Sequence, residues 1–197
     1  LLEDYIGPVL LSEPAAVEFF RQLLLPEMIG TPPAISLDYS GDHSPLQAPP
    51  AARVGRRLLP FGWTVRDDAR VDAPGHYEWD YEGAPAAAID VVLDGVLRQP
   101  LMSRVPVDFE SRTTGHGRSQ GSRRRSAFPG VVFVTPPKIF SRRKLEKKAL
   151  KAARAAGLEK VLVVRRLEPL ALTRRMQVHF PGDEAPSGLS QPSEAYF

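Results

Sequence analysis

Two groups of carboxylates near the middle of the chain could do acid–base or metal chemistry. Asp67 and Asp68 end one apolar segment, and Asp80 and Glu82 alternate with aromatic residues in the next. Clustered carboxylates can bind a cation, or one can act as an acid while another acts as a base. Acids at such positions more often cap turns and face solvent. A structural role is therefore the leading interpretation of both groups, and carboxylate chemistry is the alternative.

A polar stretch at residues 111–128 holds the second group of candidate residues. It contains five arginines, three glycines and one histidine, without an apolar period, which predicts a mobile loop. Gly115-His116-Gly117 is similar to part of a phosphate-binding loop but lacks the Gly-Lys-Ser/Thr ending that gives such a loop its chemistry. The arginines could bind phosphates or an acidic partner, or they could simply be solvated. An enzyme built on Asp67, Asp68 and His116 has no spacing argument behind it and ranks last.

A strand, an aromatic segment and a hairpin are the elements that would position these residues. An apolar run from Leu58 to Val65 leads into the first pair of acids. Tyr77, Trp79 and Tyr81 alternate along the aromatic segment, which would place them on one strand face as a half-buried stripe. Two apolar runs then flank Asp94-Gly95. Because this dipeptide tolerates the positive φ of a tight primed turn, the pattern predicts a hairpin whose turn fixes the strand register.

Helices and further strands are predicted on both sides of this centre. A strand at 5–11 precedes a helix that starts near Ser12 or Glu13 and is closed by Pro26 and Gly30. A second helix is capped by Ser141, runs to Ala156 and stops at Gly157. Residues 1–197 would form a single domain or a fragment of one. The remaining predicted segments are strands at 131–134, 160–167 and 172–180, a Pro-rich loop at 30–52 and a polar tail at 181–197.

Composition bounds the class of protein. The chain has 197 residues, of which 43% are hydrophobic, and this is enough for a core. No apolar run approaches the roughly 20 residues of a membrane span. Cysteine is absent, which excludes disulfides and thiolate metal sites. The chain starts at Leu1 rather than at a methionine, so we expect a processed or truncated start.

A strong charge asymmetry underlies the formal net charge of +3. Residues 1–97 carry a net charge of −9, and residues 98–175 carry a net charge of +15. A basic block of this kind is typical of nucleic-acid binding, but no known reader motif accompanies it. Pairing between the basic and the acidic half of the chain is therefore the preferred interpretation.

Five segments of the chain, taken in order, resemble the TldD/PmbA family, whose members have long been labelled modulators of DNA gyrase. The resemblance covers residues 5–157 and implies a match to part of the β-rich C-terminal domain of that family, without its large N-terminal domain. The matching segments are Tyr5-Ile6-Gly7-Pro8-Val9-Leu10, Leu58–Asp68 with its Leu-Leu-Pro and Asp-Asp ends, Gly75–Pro85, Asp94-Gly95-Val96-Leu97 and Thr113-Thr114-Gly115-His116-Gly117-Arg118.

The first predicted helix bears on whether the chain holds zinc. In the metallopeptidase branch of the family, the matching helix carries an H-E-x-x-x-H motif, in which two histidines share the metal and the glutamate can act as a base. Here the helix reads Val17-Glu18-Phe19-Phe20-Arg21-Gln22 and contains no histidine. The chain therefore resembles the zinc-free, PmbA-like branch, and we expect neither a metal nor another cofactor.

Together these observations predict an α+β fold with a mainly antiparallel, curved or barrel-like β-sheet and two packed helices. The function implied by the resemblance is a non-catalytic subunit or domain of a cytoplasmic peptidase system that handles unfolded peptides. Its partners would be a peptide, a second copy of the chain or a zinc-bearing TldD-like subunit. The alternative is a basic nucleic-acid-associated protein, whose binding would weaken steeply as salt rises. The candidate residues for binding a peptide or partner are Asp67, Asp68, Tyr81, Glu82, His116, Arg118, Arg123, Arg124 and Arg125.

Overall fold

The structure is a computed structural model that describes residues 5–30, 53–105, 112–119, 125–169 and 192–196. The chain divides into two compact units, one of residues 1–23 and 138–197 and the other of residues 24–137. The single domain expected from the sequence stays a prediction. The elements follow in chain order as β1 (Val9–Leu11), α1 (Glu13–Met28), β2 (Thr64–Asp68), β3 (Ala88–Leu93), β4 (Val96–Leu97), β5 (Gly117–Arg118), β6 (Ser126–Ala127), β7 (Val132–Thr135), α2 (Arg142–Ala155), β8 (Leu162–Leu167) and β9 (Pro192–Tyr196).

A three-stranded sheet with β8 at its centre organises the first unit. β1 pairs with β8 in parallel, with Val9 opposite Leu162, and β9 pairs with the other edge of β8 in antiparallel fashion. Ala15, at the start of α1, is fully buried against Leu162 and Val164. These small and branched apolar side chains exclude water between the helix and the sheet, and so hold the helix start on the sheet.

Both predicted helices are present. Pro14 lies in the first turn of α1, where its missing N–H costs no hydrogen bond. The hydroxyl of Ser12 donates to the carbonyl of Arg165 at 2.7 Å, so it ties the helix start to β8 instead of capping the helix. Helix α2 follows Ser141 as expected, and Gly157 adopts a φ of +75° just beyond its end, which is the left-handed geometry that glycine favours there.

A four-stranded antiparallel sheet in the order β4-β3-β2-β7 organises the second unit. Strands β3 and β4 form the predicted hairpin, with Val92 opposite Leu97. Between them, Asp94 and Gly95 adopt φ values of +50° and +78°, the pair of positive values that a type I′ turn requires. The hairpin prediction is therefore confirmed.

Strand β2 brings a carboxylate into the core of the second unit. Along this strand Val65 and Asp67 are buried, whereas Arg66 between them is exposed, because successive side chains of a strand point to opposite faces. Val65 belongs to a core that also contains Val91 and Val92 of β3. The same alternation that buries Val65 therefore buries Asp67, which must find its partners inside the unit.

The prediction of a barrel-like sheet is wrong. In the part of the chain that the structure describes, the strands form three separate sheets, and none of them closes on itself. Closure requires every strand to pair on both sides, but β4 and β7 are short edge strands that do not pair with each other. Pro100 and Pro136 follow them closely, and proline cannot donate a ladder hydrogen bond. The pairing is also mixed, since β1 and β8 run parallel.

Four predicted segments are covered by the described residues only in part or not at all. Within 111–128, strands β5 and β6 pair as a short antiparallel ladder, and 120–124 lie outside the described residues, so the predicted mobility of this stretch stays a prediction. In the polar tail, residues 192–196 form β9. The Pro-rich segment at 31–52 and the predicted strand at 172–180 lie outside the described residues. Among the helices that the structure describes, none is long and apolar enough to cross a membrane.

Candidate functional site

The loop at 112–119 and the aromatic segment at 77–85 meet within the second unit, where both backbone polar groups of one loop residue, Gly117, are bonded to the segment. The carboxylate of Asp80 accepts a hydrogen bond from the backbone N–H of Gly117 at 2.8 Å, and the carbonyl of Gly117 accepts one from the N–H of Tyr81 at 2.8 Å. A side chain at Gly117 would collide with Glu82. A larger residue there would have to push the Glu82 carboxylate aside.

A fully buried pair of His116 and Asp67 joins the same loop to β2. His116 Nε2 lies 2.9 Å from Asp67 Oδ1, and both side chains have no exposed surface. The second carboxylate oxygen of Asp67 accepts the backbone N–H of Gly130 at 2.9 Å. On the other side of the ring, His116 Nδ1 lies 2.8 Å from the carbonyl oxygen of Thr114. All four polar atoms of the pair are thus engaged inside the unit.

The positions of the protons on this pair follow from the acceptors around it. His116 Nδ1 lies 2.8 Å from the carbonyl oxygen and 3.0 Å from the hydroxyl oxygen of Thr114, so it can donate to the first or accept from the second. A proton must lie between His116 Nε2 and Asp67 Oδ1, because two bare acceptors would repel each other at 2.9 Å. The pair therefore resembles the His–Asp part of a catalytic triad in its bonding. It differs in its geometry, since neither ring nitrogen is left to meet a substrate.

Tyr77, in the aromatic segment, contacts both the loop and the ring of His116. Its hydroxyl donates to the carbonyl of Gly115 at 2.8 Å, and its ring lies edge-on to the imidazole of His116 with centroids 6.4 Å apart. Burial raises the pKa of the Tyr77 phenol well above its ordinary value, and the nearby carboxylates of Asp67 and Asp80 raise it further, against a lowering by Arg118. Tyr77 therefore stays protonated and serves as a donor.

Asp80 is the anchor of the aromatic segment. One of its carboxylate oxygens accepts the N–H groups of Glu82 and Ala84 at 2.9 and 2.8 Å, and the other accepts the N–H of Gly117. A short side chain that bonds its own backbone two residues on creates an Asx turn. Asp80 is nearly fully buried, and its acceptor capacity is used to shape a turn and to hold a loop.

Arg118 leaves the loop on the surface side of this cluster. Its guanidinium carbon lies 4.9 Å from the centroid of the Tyr77 ring and 5.7 Å from that of the Tyr81 ring. A guanidinium at such distances from an aromatic face is attracted by the ring quadrupole. The Tyr81 ring is 53% exposed, so one wall of this arrangement is open to solvent.

The two carboxylates of β2 do not form a site together. Asp67 points into the core, whereas Asp68 points to the other face, where both of its oxygens bond the guanidinium of Arg70 at 2.8 and 3.0 Å. The hydrogen bonds from Arg70 hold the pKa of Asp68 below its ordinary value. Within the described residues, no three histidine or carboxylate side chains are placed to hold a metal ion. Asp67 and Asp68 therefore do not act as a carboxylate pair, because adjacent residues of a strand face opposite sides.

The structure unites part of the predicted site and separates the rest. Tyr81, Glu82, His116 and Arg118 lie in one cluster with Asp67, and the Glu82 carboxylate accepts the backbone N–H of Arg104 at 2.6 Å. Arg125 is exposed at the start of the β6 segment. Arg123 and Arg124 lie outside the described residues.

Sequence reasoning missed Tyr77 and Asp80 as site residues. The sequence favours a turn-capping, solvent-facing role for Asp80, and its carboxylate does cap an Asx turn, but it is buried rather than exposed. Gly83 adopts a φ of +73°. Tyr77 carried no signal of its own, because its partners in the 112–119 loop are far away in sequence.

Glu18, in the middle of helix α1, accepts hydrogen bonds from side chains of the same helix. The carboxylate of Glu18 accepts both a forked hydrogen bond from Arg21, at 2.8 Å for each oxygen, and one from the amide of Gln22 at 2.6 Å. Gln22 is nearly buried and also donates to the carbonyl of Glu168 at 2.9 Å. The side chains one position before and four positions after Glu18 are Val17 and Gln22, and neither is a zinc ligand of the usual kind.

Helix α2 presents a basic surface on the first unit. Its fourteen residues include seven lysines and arginines and a single acid, Glu146, and only Ala153 among them is buried. The ammonium groups of Lys144 and Lys148 lie 5.0 and 4.5 Å from the centroid of the Phe140 ring. All seven cations are exposed, so the helix offers a strongly basic surface to solvent.

Comparison with known proteins gives these residues a family context. Residues 7–167 match the family described as "PmbA/TldA metallopeptidase C-terminal domain". The chain belongs to the PmbA/TldD family. The resemblance seen in its sequence motifs is thereby confirmed, and with it a relationship to peptidases and to proteins labelled gyrase modulators. No curated protein sequence matches the chain.

Two solved structures of PmbA/TldD character share the fold. TldE from Thermococcus kodakarensis superimposes with a TM-score of 0.55 at 17% identity, covering 82% of this chain and 33% of the TldE chain. A protein described as "a putative modulator of a DNA gyrase" from Thermotoga maritima gives a TM-score of 0.55 at 18% identity, covering 83% of this chain and 33% of its own. This chain therefore spans about a third of the length of each relative, and the likeness at these identities concerns the fold alone.

Proposed function

We propose that this chain is a non-catalytic part of a PmbA/TldD peptidase system, which contributes to the binding of unfolded peptides while a zinc-bearing subunit cleaves them. The observation that carries the proposal is the state of Glu18 in α1. Both of its carboxylate oxygens are taken by Arg21 and Gln22, whereas a catalytic glutamate of an H-E-x-x-x-H helix must be free to take a proton from zinc-bound water. The histidine-free sequence of α1 supports the same conclusion.

The buried pair of His116 and Asp67 supports this proposal as well. A general base must be able to reach the proton that it abstracts. His116 and Asp67 have no exposed surface and spend their polar atoms on each other and on the backbone. They therefore act as a structural tie for the loop that carries Arg118.

The proposal predicts binding without cleavage. The experiment measures the binding of an unstructured fluorescent peptide and its hydrolysis, by the chain alone and together with a zinc-bearing PmbA/TldD subunit from the same genome. We expect the chain alone to bind the peptide without cleaving it, with or without added zinc, and to co-purify with the zinc-bearing subunit. Cleavage by the chain alone that is lost in Glu18→Gln would contradict the proposal, with Glu13→Gln at the exposed start of the same helix as the matched control.

The exposed basic surface of α2 favours a second candidate function, binding to nucleic acid. Seven cations on one helix would release counterions from a phosphate backbone, so affinity would fall steeply with salt. The test is a titration of double-stranded DNA at several salt concentrations, with Lys147→Glu and Lys151→Glu as the variants. A shallow salt slope, or binding that both variants leave unchanged, would remove this candidate.

A further inference from the structure

Arg118 is a cation that lies over one aromatic ring and near a second. Its guanidinium carbon is 4.9 Å from the centroid of Tyr77 and 5.7 Å from that of Tyr81. Within the described residues, no carboxylate lies within 4 Å of it and no acceptor takes a hydrogen bond from its side chain. An arginine carries five N–H donors in a planar fork. The two rings attract the cation without accepting all five donors, so donors remain for a ligand.

The position of this arginine is fixed before any ligand arrives. The preceding residue, Gly117, is bonded through its N–H to Asp80 and through its carbonyl to Tyr81. The loop is tied a second time by the buried pair of His116 and Asp67. Because these contacts already order the backbone at Arg118, a ligand that binds there does not bear that entropic cost.

The surroundings of Arg118 select the chemistry of the ligand. The planar fork of a guanidinium matches a carboxylate with two parallel hydrogen bonds. Glu78 and Glu82 belong to the adjoining segment, and Glu82 packs against Gly117. These acids repel a polyanion such as nucleic acid, but a single carboxylate can pair with the one cation. The exposed ring of Tyr81 offers apolar surface beside it.

We propose that Arg118, with Tyr81 as the stacking wall, binds a carboxylate of a peptide. This inference deepens the proposed function and rests on it, since it names the chemical group by which the chain would hold a peptide. The carboxylate can come from the C-terminus of the peptide or from an acidic side chain, and the experiment below distinguishes these sources. Arg118 would then set a preference among peptides without taking part in their cleavage.

The experiment is a calorimetric titration of the full chain with three N-acetylated hexapeptides of alanine and leucine. The first has a free C-terminal carboxylate, the second has a C-terminal amide, and the third has the amide and one central glutamate. We expect a carboxylate-bearing peptide to bind roughly tenfold more tightly than the neutral one, as charge-assisted hydrogen bonds imply. Arg118→Gln should abolish this difference, and Arg118→Lys should restore only part of it, because lysine lacks the planar fork.

The matched control is Arg98→Gln, which removes the same charge from an exposed residue of the same unit and should leave the preference intact. Circular dichroism verifies that each variant is folded. Preference for the first peptide assigns the C-terminus, and preference for the third assigns a side chain. Equal binding of all three peptides, unchanged by Arg118→Gln, overturns the inference but leaves peptide handling standing. Binding of no peptide overturns both, and single-stranded DNA binding that depends on Arg118 replaces the inference with a nucleic-acid role.

Discussion

The buried pair of His116 and Asp67 gives the sharpest prediction about stability. His116→Ala would leave the Asp67 carboxylate in the core with a single N–H donor, from Gly130. Removing one partner of a buried charged pair costs about 3–5 kcal/mol, because the other charge is left without compensation. Asp67→Ala leaves a buried ring N–H of His116 and the N–H of Gly130 without their acceptor, about 1–3 kcal/mol each. We therefore expect each single variant to lose most of the stability of a typical small unit.

The double variant should lose much less than the sum of the two single losses. With both groups removed, no uncompensated charge remains, and the coupling energy between the two positions should be about 2–3 kcal/mol. Urea unfolding followed by tryptophan fluorescence measures this directly, since the two tryptophans of the chain, Trp63 and Trp79, both lie in the second unit. Asp68→Ala is the control, because it removes a neighbouring carboxylate whose partner, Arg70, is exposed and should cause a much smaller loss.

Two results would refute this reasoning. Additive losses, with a coupling energy below about 0.5 kcal/mol, would mean that the two side chains stabilise the unit independently. A loss on Asp67→Ala no larger than that on Asp68→Ala would mean that the position of Asp67 in the core carries no special cost.

Three further predictions concern the turn, the buried phenol and metal. Gly95→Ala should destabilise the protein by clearly more than Gly83→Ala, for which we expect only the roughly 1 kcal/mol of left-handed strain. Both glycines have a positive φ, but the Leu59 carbonyl oxygen occupies the Cβ position at Gly95, whereas the Cβ position at Gly83 is open. Equal melting temperatures of the two variants would contradict this prediction. Tyr77 has a raised pKa when folded, so its contribution to stability is complete below about pH 10 and is lost as pH rises further; Tyr77→Phe should flatten the alkaline loss of stability, and an unchanged loss would contradict this. Purified chain should bind no stoichiometric zinc, and one tightly held zinc that disappears in His116→Ala or His179→Ala would contradict that expectation.

Local signals in the sequence predicted the elements whose geometry is local. The Asp94-Gly95 turn was predictable because only a few residue pairs accept two successive positive φ values, and α2 was predictable from Ser141 and Gly157 at its ends. The aromatic stripe was wrong for an equally local reason that was overlooked. The side chain of Asp80 takes the N–H groups of Glu82 and Ala84, and such bonds compete with a strand ladder.

The partners across long sequence distances could not be predicted. Nothing near Asp67 indicates that its bonding partner is His116, and nothing near β1 indicates that β8 will pair with it in parallel. The barrel was expected from the number of strands, but closure depends on how edge strands meet. The family motifs did mark the right segments, because they contain Asp80, Gly117 and the residues of the buried pair. They did not reveal that several of these residues hold the backbone, whereas Arg118 lies against the Tyr77 ring.

The two ties on the 112–119 loop also have a consequence for the order of folding. The β3–β4 hairpin closes over a few residues, whereas the bonds from Asp67 to His116 and from Asp80 to Gly117 connect residues that are 49 and 37 positions apart. Closing a longer loop costs more chain entropy. The two hydrogen bonds can offset this cost only when β2 and the Asp80 turn have already formed. We therefore expect the loop to dock after the transition state, so that breaking either tie accelerates unfolding and leaves the rate of folding nearly unchanged.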